Sequence, residues 1–166
     1  MKIRLISIES SRPDWAKKAF NTYESKFNKS INIDWLGLKP VKRIGNYNVL
    51  DVVEKESNLL QSKVKKNEFV IALDKEGLSM STEKLRFQFD NWISSSKDLS
   101  IIIGGPDGLS QNLIKQCDFC WSLSQLTFPH SIVPVLVLEQ IYRVWSMTQN
   151  HPCLLYTSPS PRDKTV

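Results

Sequence analysis

Leu99-Ser100-Ile101-Ile102-Ile103 and the adjoining turn Gly104-Gly105-Pro106-Asp107-Gly108 set the architecture that we expect of this chain. A short β-branched apolar run is typical of a strand that is buried on both faces of a parallel sheet. Three glycines within five positions allow a tight turn and let another molecule approach the backbone closely. The stretch therefore predicts a central strand ending at a candidate functional turn, although an ordinary strand-to-helix turn has the same pattern.

A second loop of interest follows shortly after the glycine turn. A helix over 111–117, with Ser110 as its N-cap, is expected to lead to a strand at Phe119–Ser122 and then to the small, hydroxyl-bearing segment 123–130. Open α/β sheets bind ligands at the carboxyl ends of their strands, so both loops are candidates for one site. The glycines do not form G-x-G-x-x-G, no Gly-Lys-Ser/Thr follows, and Pro106 lacks an N–H donor. We therefore expect a ligand held by its edges rather than by phosphates.

The composition is that of one globular domain with an excess of positive charge. Of the 166 residues, 41% are hydrophobic and 23% charged, and the net charge is +5 with a pI of about 9.1. This excess is compatible with a nucleic-acid partner, but many basic proteins bind none. Charges interrupt the first apolar residues and no run approaches the length of a membrane span, so we expect a cytoplasmic protein.

The three cysteines do not make a disulfide framework. Cys117-x-x-Cys120 has neither a second pair nor a nearby histidine to complete a zinc site. We therefore expect buried free thiols in a reducing compartment and no bound metal.

Strand and helix patterns alternate along the rest of the chain. Strands are expected at Lys2–Ile8, 31–36 and 69–73, and amphipathic helices after an S-x-x-D start at 11–14, over 49–64 and after a cap at Ser81 or Thr82. The first helix should bury a stripe that includes Trp15. This order predicts an α/β fold, a mostly parallel sheet with helices on both faces. Leu73, at the end of the third strand, should then form a wall of the pocket beside Gly104.

The polar loop over 37–48 contains Lys39, Lys42 and Arg43. Such a loop is usually solvated surface, and contact with RNA is the alternative.

The last helix, expected over 131–150, is apolar nearly all round. Such a helix must be buried on two sides, and a second copy of the chain could cover one of them. Glu139 and Arg143 lie four residues apart on it, so they either pair with each other or face a substrate beside the pocket.

Several motifs together resemble the RlmH family of the SPOUT superfamily. They are Leu73-Asp74, Ile103-Gly104-Gly105-Pro106-Asp107-Gly108, Trp121-Ser122-Leu123-Ser124-Gln125-Leu126-Thr127, Pro129-His130, Leu138-Glu139-Gln140-Ile141-Tyr142-Arg143 and His151-Pro152. Members are S-adenosylmethionine-dependent methyltransferases that act on N3 of a pseudouridine in 23S rRNA of the large ribosomal subunit. The resemblance covers residues 1–152 and implies a deep C-terminal trefoil knot, a homodimer and a substrate in the large subunit or the assembled ribosome, without a metal.

The resemblance also assigns site residues. It places the S-adenosylmethionine site on Leu73, Gly104, Gly105, Leu123, Ser124, Gln125, Leu126, Thr127 and Phe128. His130 is a candidate base by residue type, although it begins a helix, where the dipole disfavours a charged imidazole. Arg143 fits a substrate-orienting or phosphate-contacting role. A side chain at Gly105 is expected to fill the slot where the backbone meets the ligand.

Two departures from the family pattern affect the expected activity. Position 134 is usually Arg and is Pro here, and the usual ending His-Pro-Tyr-His is replaced after Pro152 by Cys153-Leu154 and a Ser/Pro-rich run. We expect a methyltransferase domain at 1–152 and an atypical, disordered, non-native tail at 153–166. The alternatives are a non-catalytic basic module that binds a nucleotide or RNA, and a family member inactivated by its altered C-terminus.

Overall fold

The computed structural model describes residues 1–149 and contains five parallel strands. The strands are β1 (Lys2–Ile8), β2 (Asn32–Leu38), β3 (Glu68–Ser79), β4 (Asp98–Ile103) and β5 (Phe119–Ser122). Their order in the sheet is β2-β1-β4-β3-β5. β4 is thus the central strand, as its apolar run predicts.

Five helices connect or follow the strands. They are α1 (Asp14–Glu24), α2 (Val49–Ser62), α3 (Thr82–Ser94), α4 (Gln111–Gln116) and α5 (Val133–Thr148). Ser81 and Ser110 cap α3 and α4 as expected, each accepting a hydrogen bond from the backbone N–H three residues on. Pro134 lies in the first turn of α5, where its missing N–H costs no helical hydrogen bond.

The helices lie on both faces of the sheet and form two cores. One core joins α1, α3 and α5 to the sheet through residues such as Phe20, Phe89 and Leu138, and the other joins α2 and α4 through Leu60 and Leu113. The predicted α/β class with helices on both faces is confirmed.

The first helix differs from its prediction at its start. Pro13, not Ser11, is the N-cap of α1, and no side chain caps the helix. Trp15 was placed on the buried stripe, but the structure leaves it 51% exposed. The helix begins later than expected, and the buried face is carried by Ala16 and Phe20 instead.

The third strand continues beyond its predicted end at Leu73. Trp121 of β5 lies opposite both Leu73 and Leu78, so the intervening residues leave the ladder and the strand then resumes. Gly77 permits this because a Cβ there would lie 2.7 Å from the backbone carbon of Trp121. The extended strand pairs with the end of β5 and leads to the start of α3.

The apolar residues of α5 are covered within the chain itself. Val135, Leu138, Ile141 and Val144 are buried, and α5 packs against both α1 and α3. The two-sided burial inferred from the sequence therefore does not require a second copy. No helix within 1–149 is long and apolar enough to cross a membrane, and the same residues contain no cluster of three metal-ligating side chains.

Candidate functional site

Three neighbouring strands bring together residues that are distant in sequence. Leu73 of β3 pairs with Ile103 of β4 on one side and with Trp121 of β5 on the other. Gly104 directly follows Ile103, and Leu123 comes two residues after Trp121. The structure thus gathers the predicted wall Leu73 and the beginnings of both predicted loops at one carboxyl edge of the sheet.

The glycine turn is compact and depends on its glycines. Gly108 donates a backbone hydrogen bond to the carbonyl oxygen of Gly105 at 3.0 Å and has a φ of +84°, which favours glycine. A Cβ on Gly104 would lie 2.8 Å from the backbone carbon and oxygen of Gly108. A side chain at position 104 would therefore force the turn open.

Gly105 faces the protein interior, which corrects the expectation that a side chain there would fill the ligand slot. Its Cβ would lie 2.7 Å from Glu56 Oε1 and 3.2 Å from Ile8 Cγ2. The glycine is required because α2 packs closely beneath the turn.

The loop after β5 has half-buried and exposed parts. Ser124 Oγ accepts a hydrogen bond from the backbone N–H of Leu126 at 3.0 Å, which forms a local turn. Gln125, Leu126 and Thr127 are exposed, and the Leu126 side chain is 70% accessible. Leu123 and Phe128, by contrast, line a cavity.

This cavity has a volume of about 240 Å³ and lies between the end of β5, the start of α3 and α5. Its walls are formed by Met80, Ser81, Thr82, Leu85, Trp121, Leu123, Phe128, Leu136 and Gln140. Of the predicted cofactor residues, Leu123 and Phe128 line it, whereas Leu73, Gly104 and Gly105 do not. Local sequence patterns do not indicate Met80 or Gln140 as site residues. The extension of β3 places Met80 there, and no local pattern in the sequence indicates that extension.

His130 contacts the end of β1. Its Nε2 lies 2.5 Å from the carbonyl oxygen of Ile8, the last residue of that strand. A carbonyl oxygen only accepts hydrogen bonds, so Nε2 carries the hydrogen and the lone pair of a neutral ring is on Nδ1. His130 thus has a structural contact at the carboxyl edge and one ring nitrogen that this contact does not use.

Arg143 pairs with Glu139, which is the first of the two alternatives considered for this pair. Its Nη2 lies 2.6 Å from Glu139 Oε1. Glu139 also accepts a hydrogen bond from Gln140 Nε2 at 2.6 Å, and Gln140 lines the cavity. Arg143 is therefore connected to the cavity wall through Glu139 and Gln140. Its side chain is 33% exposed.

The loop between β2 and α2 is anchored by Arg43. The guanidinium binds Glu56 and Asp107, so this residue is not a free surface cation as the sequence pattern allowed. Lys39 and Lys42 in the same loop are exposed.

A parallel α/β sheet with two loops at its carboxyl edge, one of which borders a cavity, defines a class of ligand-binding α/β domains. Comparison with known proteins gives the family. The family model described as "Predicted SPOUT methyltransferase" matches residues 1–153, and this chain belongs to that family.

Relatives named ribosomal RNA large subunit methyltransferase H support this membership. The proteins from Legionella pneumophila and Chromohalobacter salexigens are 38% and 34% identical to this chain, each over 92% of it and over 97% and 98% of their own lengths. A crystal structure of the SpoU methyltransferase AviRb from Streptomyces viridochromogenes, in complex with AdoMet, superimposes with a TM-score of 0.43 and 11% identity, covering 84% of this chain and 56% of that one.

Proposed function

We propose that this chain transfers a methyl group from S-adenosylmethionine to N3 of a pseudouridine in 23S rRNA. The substrate is the large subunit or the assembled ribosome, and the reaction takes place in the cytoplasm. The observation that carries the proposal is the meeting of Leu73, Gly104 and Leu123 at one edge of the sheet in a member of this family. The names of its relatives support ribosomal RNA as the substrate.

The residues at this edge fit an adenosyl ligand. Leu73, Leu123 and Phe128 offer apolar side chains, and the missing side chain at Gly104 lets the turn close tightly on Gly108. When bound, S-adenosylmethionine supplies a sulfonium methyl group as the electrophile. Backbone groups of Gly104, Gly105 and residues 123–128 would form hydrogen bonds with the edges of the adenosyl group. The sequence has no phosphate-binding motif, and this ligand has no phosphate to bind.

His130 and Arg143 are the proposed substrate-side groups. Nucleophilic attack by N3 requires loss of its imino proton, and Nδ1 of His130 is a nitrogen of suitable type with its ring held by Ile8. Arg143 would orient the RNA, because its guanidinium retains donors that Glu139 does not occupy. Both groups act by positioning or proton transfer and neither requires a metal.

We also propose a homodimer, a knotted C-terminal region and a catalytic domain that extends over 1–152. The homodimer and the knot are proposed from family membership. Residues 150–166 lie outside the described part of the chain, so the proposed tail at 153–166 rests on its sequence.

Tritium transfer tests the function directly. Labelled S-adenosylmethionine is incubated with this chain and with ribosomes that lack the modification, with fully modified ribosomes as the control. Label in 23S rRNA of the unmodified ribosomes only is the expected result. Binding of ribosomes or cofactor without methyl transfer would instead favour one of the two alternatives. These are a non-catalytic binding module and a family member inactivated by its altered C-terminus. Pro134 and Cys153-Leu154 are the departures from the family pattern that suggest inactivation.

A further inference from the structure

The glycine turn and the residues that lead from it to Ser110 are held at three points by one neighbouring segment. This segment consists of the β2–α2 loop and α2. The backbone N–H of Ser110 donates to Ser57 Oγ at 2.9 Å. Gly105 lies directly against the carboxylate of Glu56. At the tip of the turn, Arg43 Nε donates to Asp107 Oδ2 at 2.9 Å. These contacts fix the beginning, the tip and the end of the turn.

Glu56 is an unusual residue to find at the centre of this support, because it is fully buried. Arg43 Nη1 donates to Oε2 and Nη2 donates to Oε1, both at 2.9 Å, and the backbone N–H of Val41 donates to Oε2 at 3.0 Å. This bidentate pairing fixes direction as well as distance. The bonded carboxylate of Glu56 raises the pKa of Arg43 against the opposing effect of burial, and Asp107 raises it further, so the guanidinium stays charged.

Stability alone does not explain a buried ion pair at this place. An apolar side chain of similar volume would fill the space beneath Gly105 without the cost of desolvating two charges. What the ion pair provides is a fixed geometry, since a planar guanidinium joins Glu56 below the turn to Asp107 at its tip. The arrangement points to a requirement for one particular shape of the turn.

We propose that Arg43 and Glu56 are positioning residues that hold the glycine turn in the shape that receives the adenosyl ligand. This inference rests on the proposed function and deepens it. Arg43 also joins the turn to the loop that carries Lys39 and Lys42, so the cofactor-binding turn and this basic loop are positioned together.

Three variants test the proposal. Asp107→Asn weakens only the contact at the exposed tip, Glu56→Gln removes the buried charge with little change of shape, and Arg43→Lys keeps the charge but cannot form the bidentate pair. Asp51→Asn is the matched control, because it removes a carboxylate from an exposed ion pair with Lys55 on the same helix. Amide hydrogen exchange of 104–109 in the ligand-free protein and calorimetric affinity for S-adenosylmethionine are measured for each.

The proposal expects faster exchange at 104–109 and about tenfold weaker binding for Arg43→Lys, Glu56→Gln and Asp107→Asn. Asp107→Asn and Asp51→Asn should keep the urea midpoint of the parent. A merely structural role would move the urea midpoint and leave the affinity of the folded variants unchanged. Asp107→Asn with parental exchange and affinity would overturn the proposal. If Arg43→Lys or Glu56→Gln does not fold, Asp107→Asn still tests the positioning role.

The exchange measurement also separates this inference from the function on which it rests. If the parent chain binds no S-adenosylmethionine, the proposed function fails. Unchanged exchange at 104–109 in the folded variants, with normal cofactor binding by the parent, defeats the positioning role alone.

Discussion

Gly105 lies so close to Glu56 that a Cβ on the glycine would come within 2.7 Å of the carboxylate oxygen Oε1. The oxygen is not free to move away, because Arg43 Nη2 donates to it and the backbone N–H of Val41 donates to the other carboxylate oxygen, Oε2. We therefore expect Gly105→Ala to destabilise the protein by about 1–3 kcal/mol, as overpacking does. Urea unfolding would measure the change. Adding Glu56→Asp, which shortens the opposing side chain, should recover part of the loss, and no recovery would contradict the assigned contact.

A second buried ion pair lies at the opposite edge of the sheet. Arg4 Nε lies 3.0 Å from Glu68 Oε2, although its N–H is not aligned for a hydrogen bond, and Glu68 also accepts from the backbone N–H of Lys65 at 2.7 Å. Arg4→Met leaves a buried carboxylate without its partner and should cost about 3–5 kcal/mol in urea unfolding.

The double variant Arg4→Met/Glu68→Met should be more stable than Arg4→Met alone, because no buried charge then remains unpaired. S-adenosylmethionine affinity should not change, since this pair is at the amino edge. A loss of only about 0–1 kcal/mol for Arg4→Met would show that the pair behaves like an exposed one.

Cys117 and Cys120 are free thiols, but they are only half-buried, not fully buried as the sequence led us to expect. Cys117 should still react slowly in the folded protein. Burial, with smaller effects of Cys120 and Asp118, raises the pKa of its thiol to about 12. Relative to a thiol at the ordinary value of 9.0, the reactive thiolate at pH 8 is about a thousandfold rarer. A Cys120→Ser/Cys153→Ser variant leaves one thiol, whose labelling by a disulfide reagent should be slow when folded and fast in urea.

The raised pKa of Cys117 also sets a pH dependence of stability. The folded state binds the thiol proton more tightly than the unfolded state, so this stabilisation is complete below about pH 9 and is lost as the pH rises towards 12. The urea midpoint should therefore fall less with rising alkaline pH in Cys117→Ser than in the parent. Equal alkaline profiles for the two proteins would contradict burial of the thiol.

Leu138→Glu should unfold the protein rather than separate its subunits. Leu138 is fully buried within one chain, so the substitution places an unpaired charge in the core between α5 and its neighbours. Circular dichroism should show loss of structure. Trp15→Glu changes an exposed residue and should keep the fold. Light scattering of the parent is expected to give about twice 19.1 kDa, and a parent that is monomeric at micromolar concentration would contradict the proposed dimer.

The C-terminal sequence should limit methyl transfer more than cofactor binding. The proposed cofactor residues, of which Phe128 is the last, all precede the altered ending, so S-adenosylmethionine should bind. Replacing 153–166 with Tyr-His-Arg should raise the rate by about a hundred- to ten-thousand-fold, the size of effect that positioning groups have. Returning Pro134 to Arg should add to the gain. Rapid transfer by the unaltered chain would show that the terminal Tyr-His is dispensable.

Local patterns in the sequence were sufficient to determine the order of strands and helices, the cap at Ser110 and the glycine turn after β4, and they limited the cap of α3 to Ser81 or Thr82. Each depends on near neighbours in the chain: apolar runs favour strands, hydroxyl side chains cap helices and glycines permit tight turns. The alternation of strands and helices also fixed the parallel class, and parallel strands bring Leu73 beside Gly104. The candidate site at this edge was therefore accessible from the sequence.

Tertiary structure alone decided what supports that site. On a helical pattern Glu56 is an ordinary charged residue, and only the packing of α2 beneath Gly105 shows that it is buried and paired with Arg43. The resumption of β3 beside β5, which brings Met80 to the cavity, likewise depends on contact between distant segments. Local preferences specify which element forms, whereas burial and ion pairing depend on which side chains meet once the elements pack.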